Sequence, residues 1–259
     1  MRNAVSLLLL CAIIGFIVSG LSYAFMDPPL LRLDGVLSFE RGSMPMLFSF
    51  DAENLKRVYL HLTLLRPTGA LSWALLILVW GGLVVYGAVT LIEMFSRRTD
   101  VDMVLDQAPL IAGLVIGAMW PWLGMTTTNT AFLMCVAAFA AVIFVTIRGQ
   151  RFKGHIYTAT SLGIFSGWFS VVVFITFATL LSTRLSVPLA LSTMLGMVLL
   201  CVAGTIIQLQ MTGNAAYTLT IILSLITLAV ATITIAPIVA IIAVLGIAAM
   251  TFVLVRVTT

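Results

Sequence analysis

YTATSLGIFSGWFSVVVFITFATLL, Tyr157 to Leu181, is the stretch whose reading decides the fold. It runs for 25 residues without a charged side chain. An α-helix of that length crosses the roughly 30 Å hydrocarbon core of a bilayer. A span needs only apolar side chains, but this one carries more. Gly163 and Gly167 stand four apart, Trp168 follows, and Ser170, Thr176 and Thr179 supply small hydroxyls. Small residues at that spacing let helices approach closely, and a buried indole has an N–H to place.

The rest of the chain repeats the apolar pattern. Hydrophobic residues make up 62% of the 259 and charged residues 8%, against about 25% charged in a soluble domain. The charges are clumped between long uncharged runs. The net charge of +4 therefore reads as loop topology, and no basic patch interleaved with aromatics suggests nucleic acid. Apolar runs cover Asn3–Phe25, Leu71–Phe95, Ala108–Met125, Thr130–Ile147, the opening stretch and Pro188–Gln208. Ala215–Val255 holds no charge over 41 residues. As one helix it would be about 60 Å long, so it must be two spans with a turn near Thr232 to Pro237. The expected fold is all-α: a polytopic membrane helical bundle of about eight transmembrane helices. It forms a single integral membrane domain over residues 1–259, of which 157–255 is a C-terminal four-span half. Ser22-Tyr23-Ala24 has the look of a signal-peptidase site. The preceding run is long for a signal segment, so a retained first span is the expectation.

Residues 26–68 are the one substantial polar segment. Pro28-Pro29 stops the first helix. From Asp51, a plausible N-cap, Leu55, Val58, Tyr59, Leu62 and Leu65 recur at helical spacing, with Lys56, Arg57 and His61 elsewhere on the wheel. This short amphipathic helix either lies on the membrane surface and caps the bundle, or forms a lid over a cavity between spans. Setting that loop aside, Arg2, Arg97, Arg98, Arg148, Arg151, Lys153 and Arg256 fall on one side and Arg184 on the other. The positive-inside rule then puts both termini in the cytoplasm, with multi-pass insertion in a bacterial inner membrane as the expected location.

No Asp, Glu, Lys, Arg or His lies in the middle of an expected span, which argues against ion-coupled transport. Phosphate loops, GxSxG, HExxH and cysteine pairs at ligand spacing are missing as well. No catalytic residue and no metal site is assigned, and the chain reads as a non-enzyme. Cys11, Cys135 and Cys201 sit singly in apolar runs, as packing residues do. His61 and His155 lie on opposite sides in this topology and cannot share one haem or metal. Gly113 and Gly117 repeat the four-residue spacing of Gly163 and Gly167, for packing within the chain or for a homodimer face. Trp73, Trp120 and Trp122 lie near span ends, where aromatic belts form, whereas Trp80 and Trp168 lie deeper.

Several of these motifs resemble one family. Ser166–Leu181, with Gly167-Trp168, Val171 and Leu180-Leu181, is similar to the fifth span of the long tryptophan-rich sensory proteins, relatives of the translocator protein (TspO/MBR) family. Asn214-Ala215-Ala216-Tyr217-Thr218-Leu219 resembles that group's approach to its seventh span, and Pro237 opens the eighth. Pro67-x-Gly69 resembles the Pro-x-Gly before its second span, with Trp73 or Trp80 as that span's tryptophan. Gly117-x-x-Trp120 resembles the Asn-x-x-Trp of its third span. Two departures stand out: Thr176 occupies a usual Asn position, and the third span lacks its Asn.

The resemblance implies a five-helix core around a cavity, capped by the first loop, with three further C-terminal spans. It implies binding of tetrapyrroles and other flat hydrophobic molecules, a porphyrin or haem-type ligand rather than an obligatory cofactor. Trp73, Trp80, Trp120, Trp122 and Trp168 would line the cavity, with Arg57 or His61 near the ligand's polar edge. A membrane ligand sensor is thus the leading expectation, with the lipid bilayer as its surroundings. The alternative is an accessory or assembly subunit held by partner subunits of a larger membrane complex, and a small uncoupled transporter ranks below both.

Overall fold

In the computed structural model, the described residues are 2–25, 64–65, 67, 69–95, 102–124, 128–151, 156–211, 214–234 and 236–258. They form eight helices and no strand. These are α1 (Arg2–Phe25), α2 (Ala70–Phe95), α3 (Asp102–Gly124), α4 (Thr128–Arg151), α5 (Ile156–Arg184), α6 (Leu189–Gln210), α7 (Ala215–Thr232) and α8 (Pro237–Thr258). All but α3 are long and apolar enough to cross a membrane. The apolar part of α3, Gln107–Leu123, would reach about 25 Å, because the helix starts on the charged residues Asp102 and Asp106. The chain is a membrane protein built as a polytopic helical bundle.

Helix ends follow local chemistry. Asn214 caps α7 by accepting the Ala216 N–H. Pro237 starts α8, where its missing N–H costs nothing. The uncharged run from Ala215 therefore breaks in two where its length required, between Thr232 and Pro237. Ser186 takes a left-handed backbone, φ 50°, in the turn between α5 and α6, and the Val187 N–H reaches back to the Leu181 carbonyl.

Five helices close a ring: α1 packs on α3, α3 on α4, α4 on α5, α5 on α2, and α2 on α1. Helices α6, α7 and α8 form a second group, in which α8 packs on both α6 and α7. α5 contacts α6 and α7 as well as α2 and α4, so it belongs to both groups. The sequence division at residue 157 thus falls at a shared helix. Within its span 72% of α5 is buried, against 28% for α1. Outward residues such as Ile14, Val84, Leu133, Val198 and Leu245 are large, apolar and exposed, which suits lipid and would be a liability in water.

The glycines decide how closely α5 is approached. A side-chain carbon on Gly167 would lie 2.5 Å from the Tyr217 carbonyl oxygen of α7, and one on Gly163 would lie 2.7 Å from the Asn214 amide. One on Gly113 would meet the Ala138 carbonyl of α4 at 3.2 Å, and one on Gly117 the Phe16 ring of α1 at 3.2 Å. All four predicted packing glycines are therefore filled from within the chain, and none is left open as a dimer face.

Polar groups in the span bond locally. Ser170, Thr176 and Thr179 each donate to the carbonyl four residues earlier, the usual way a hydroxyl is satisfied in lipid. Around the turn from α6 to α7 a denser set forms. Asn214 donates to the Ala159 carbonyl of α5, Gln208 donates to the Asn214 carbonyl, and Thr218 donates to the Gln208 side-chain oxygen at 2.6 Å. One turn into α7, the Tyr217 hydroxyl pairs with Ser170 of α5 at 3.0 Å.

Replacing Gly167 with Ala should force α7 away from α5 and destabilise the bundle by about 1–3 kcal/mol, as overpacking does. Gly81, with open space around it, should accept Ala with a change below about 1 kcal/mol. Thermal melting of the two purified variants in detergent checks the contrast.

Candidate functional site

One end of the ring, where α1 and α3 finish and α2 begins, encloses a small cavity. Helix α1 supplies Phe16, Ser19 and Gly20, and α2 supplies Leu76 and Trp80. From α3 come Gly117, Ala118, Trp120 and Pro121, and α5 adds Trp168. Leu65, just ahead of α2, closes the wall, and it and Leu64 are buried. The free space is about the room of one water molecule.

The wall is aromatic. Trp168 is 1% exposed and lies nearly parallel to Phe169, ring centroids 6.0 Å apart at 16°. Phe165 sits beside both, and the Phe16 ring meets Phe165 edge-on at 5.3 Å. Among the described residues, the buried indole Nε1 of Trp168 has no hydrogen-bond partner. Leaving such a donor unpaired costs about 1–3 kcal/mol. Trp80 comes from the opposite side. Its indole lies 3.3 Å from where a side-chain carbon on Gly20 would sit.

Ser19 ties α1 to α3. Its hydroxyl donates to the Ala118 carbonyl at 2.7 Å and accepts from Trp122 Nε1 at 2.9 Å. Trp122 also stands edge-on to Tyr23, 5.7 Å away. Of the five tryptophans, the structure brings Trp80, Trp120 and Trp168 together on the cavity. Trp122 stands behind Ser19 rather than in the wall. Trp73 is half-buried against Phe25, at 5.2 Å, and does not line the cavity. Distance along its helix places it: Trp73 precedes Trp80 by about two turns, nearer the end of the bundle. Arg57, His61 and the amphipathic segment from Asp51, apart from Leu64 and Leu65 at its end, lie outside the described residues.

Six lining residues escape sequence reasoning: Phe16, Ser19, Gly20, Leu76, Ala118 and Pro121. Phe16, Ser19 and Gly20 sit in a first run that looks uniformly apolar, where only the adjacent small pair Ser19-Gly20 hints at a contact. Gly117, expected only to pack helices, also forms part of the wall. Thr176, at the position where the resemblance expects Asn, does not line the cavity and bonds to its own helix. Among the described residues, no charged side chain lines the space and no His, Cys, Asp and Glu cluster could hold a metal. The wall can stack on a flat apolar molecule.

No protein-family model matches this chain, and comparison with the curated proteins and with the solved structures found no significant match.

Substituting Ser19 with Ala removes the acceptor of the Trp122 N–H and should destabilise the protein by about 1–3 kcal/mol. A double-mutant cycle with Trp122→Phe, read by thermal melting, should return a coupling of about 1 kcal/mol between the two positions.

Proposed function

We propose that this chain is a non-catalytic membrane sensor that binds flat hydrophobic molecules of the tetrapyrrole class in the cavity between α1, α2, α3 and α5. The observation that carries the reading is the buried, unpartnered Trp168 N–H in an aromatic wall. A structural core satisfies most of its donors, and a concave, mostly apolar site with a few placed polar groups is the form that ligand sites take. The reading also draws on the resemblance to the long tryptophan-rich sensory proteins, which implies a ring of five helices with three more attached. In this reading Trp80, Trp120 and Trp168 contact the ligand, and Trp122 acts through Ser19.

The resting space suits one water, so a macrocycle enters only as the walls separate. The protein then pays to open its packed aromatic contacts, and stacking on the same rings offsets that cost. The basic residues around the span ends favour a bacterial inner membrane with both termini in the cytoplasm.

Titration of the purified protein with protoporphyrin should give saturable quenching of tryptophan fluorescence. Trp168→Phe keeps an aromatic face but loses the N–H with the indole's second ring, and should weaken binding about tenfold, equivalent to roughly 1.4 kcal/mol. Absence of saturable quenching overturns the reading. Stable co-purification with other membrane subunits in mild detergent would then favour an accessory role.

A further inference from the structure

The cavity's four helices are not held to one another alike. α1 is tied to α3 by two hydrogen bonds through Ser19 and packs more extensively on α3 than on α2. Between α1 and α2, apolar and aromatic side chains close onto glycines. Trp80 lies against Gly20, and Leu10 and Ile13 lie against Gly87. A thinly packed seam parts more readily than a well-packed one tied by hydrogen bonds that lipid cannot replace.

The seam also has an outer face. Trp80 lines the cavity and is 9% exposed. Residues three and four away on a helix share its face. Ile77 and Val84, at those spacings from Trp80, are 61% and 56% exposed. Trp80 therefore stands between the cavity and the lipid-facing surface of α2. No side chain rises from residue 20 to hold the indole in place.

We infer that the cavity is loaded sideways from the bilayer through the α1–α2 seam, with Trp80 resting on Gly20 as its shutter. The inference rests on the proposed ligand-binding reading and adds the source of the ligand: an apolar molecule already dissolved in the membrane. α1 swings from its hydrogen-bonded hinge on α3, the Trp80 ring leaves Gly20, and a flat molecule slides in edge-first toward Trp168.

The test uses the full chain in phosphatidylcholine vesicles, with Cys11, Cys135 and Cys201 replaced by Ala and a thiol pair, Leu10→Cys with Gly87→Cys, placed across the seam. Neither engineered position lines the cavity. A short bifunctional thiol reagent with a reducible link closes the pair. Protoporphyrin supplied in the vesicle membrane should quench tryptophan at least about tenfold more slowly in the cross-linked protein, as expected when a gating motion limits access. Final quenching should be unchanged, and cleavage of the link by reductant should restore the rate. A second variant, Gly20→Val, should displace the indole and speed loading. Equal rates before and after cross-linking, with normal final quenching, overturn the portal and leave the binding reading standing. If protoporphyrin gives no saturable quenching in any variant, the binding reading fails. The portal is then judged by brominated phosphatidylcholine. The part of the quenching that disappears in Trp80→Phe must fall when the seam is cross-linked, and no change there overturns the portal.

Discussion

The bundle depends on a backbone contact: the Tyr217 carbonyl of α7 lies so near Gly167 of α5 that a methyl group there would stand 2.5 Å from its oxygen. In lipid, apolar burial gives helices no reason to prefer each other over acyl chains, so close approach and local hydrogen bonds must do it. Gly167 supplies the approach, and the Ser170–Tyr217 pair one turn on adds a hydrogen bond. Gly196 of α6 repeats the approach on the next side, where an added carbon would lie 2.8 Å from the Phe174 carbonyl of α5. α5 is thereby gripped by the C-terminal helices along one flank. The opposite flank, with Phe165, Trp168 and Phe169, is left to the ring.

That division explains where polar groups are satisfied. The hydroxyls of α5 bond to its own backbone, and the turn from α6 to α7 carries Gln208, Asn214 and Thr218 as a connected set. A half-satisfied network would be worse than apolar packing. Here each of those side chains has a partner, and Asn214 serves both as helix cap and as tie to α5. Gln107 and Ser182 keep unpartnered buried oxygens, but neither lines the cavity. Trp168 differs in lining it, among aromatic rings, glycines and small or aliphatic side chains.

Much of the fold was legible because a bilayer constrains sequence so strongly. Helix length follows membrane thickness, which is why the 41-residue run after Asn214 had to break and why α5 could be bounded at Arg184. The small-residue spacing at Gly113, Gly117, Gly163 and Gly167 correctly marked close contacts. It could not say which partner each glycine meets, because partner choice depends on ring order, and apolar helices look alike from every side. The site was legible only in part. Trp80, Trp120 and Trp168 were singled out as large residues with something to place. Trp73 was grouped with them although its helix carries it past the cavity, toward Phe25. Ser19 and Gly20 were invisible, since their roles are complementary to Trp122 and Trp80 and appear only once α1 lies beside α2 and α3.

The contrast between α5 and α1 sets how the cavity can behave. α5 is the most buried span and α1 the least, yet both form its wall. A site that stores an unpartnered donor needs one side that does not collapse onto it, and the C-terminal helices supply that by holding α5 from behind. It also needs a side that can yield, since one water's room admits no larger molecule without movement. Between α1 and its neighbours, hydrogen bonds run to α3 and dispersion contacts to α2. Rigidity and compliance are thus assigned to different helices by the same small residues: glycine beneath a carbonyl at 167 locks, and glycine beneath a single indole at 20 leaves that indole free to lift.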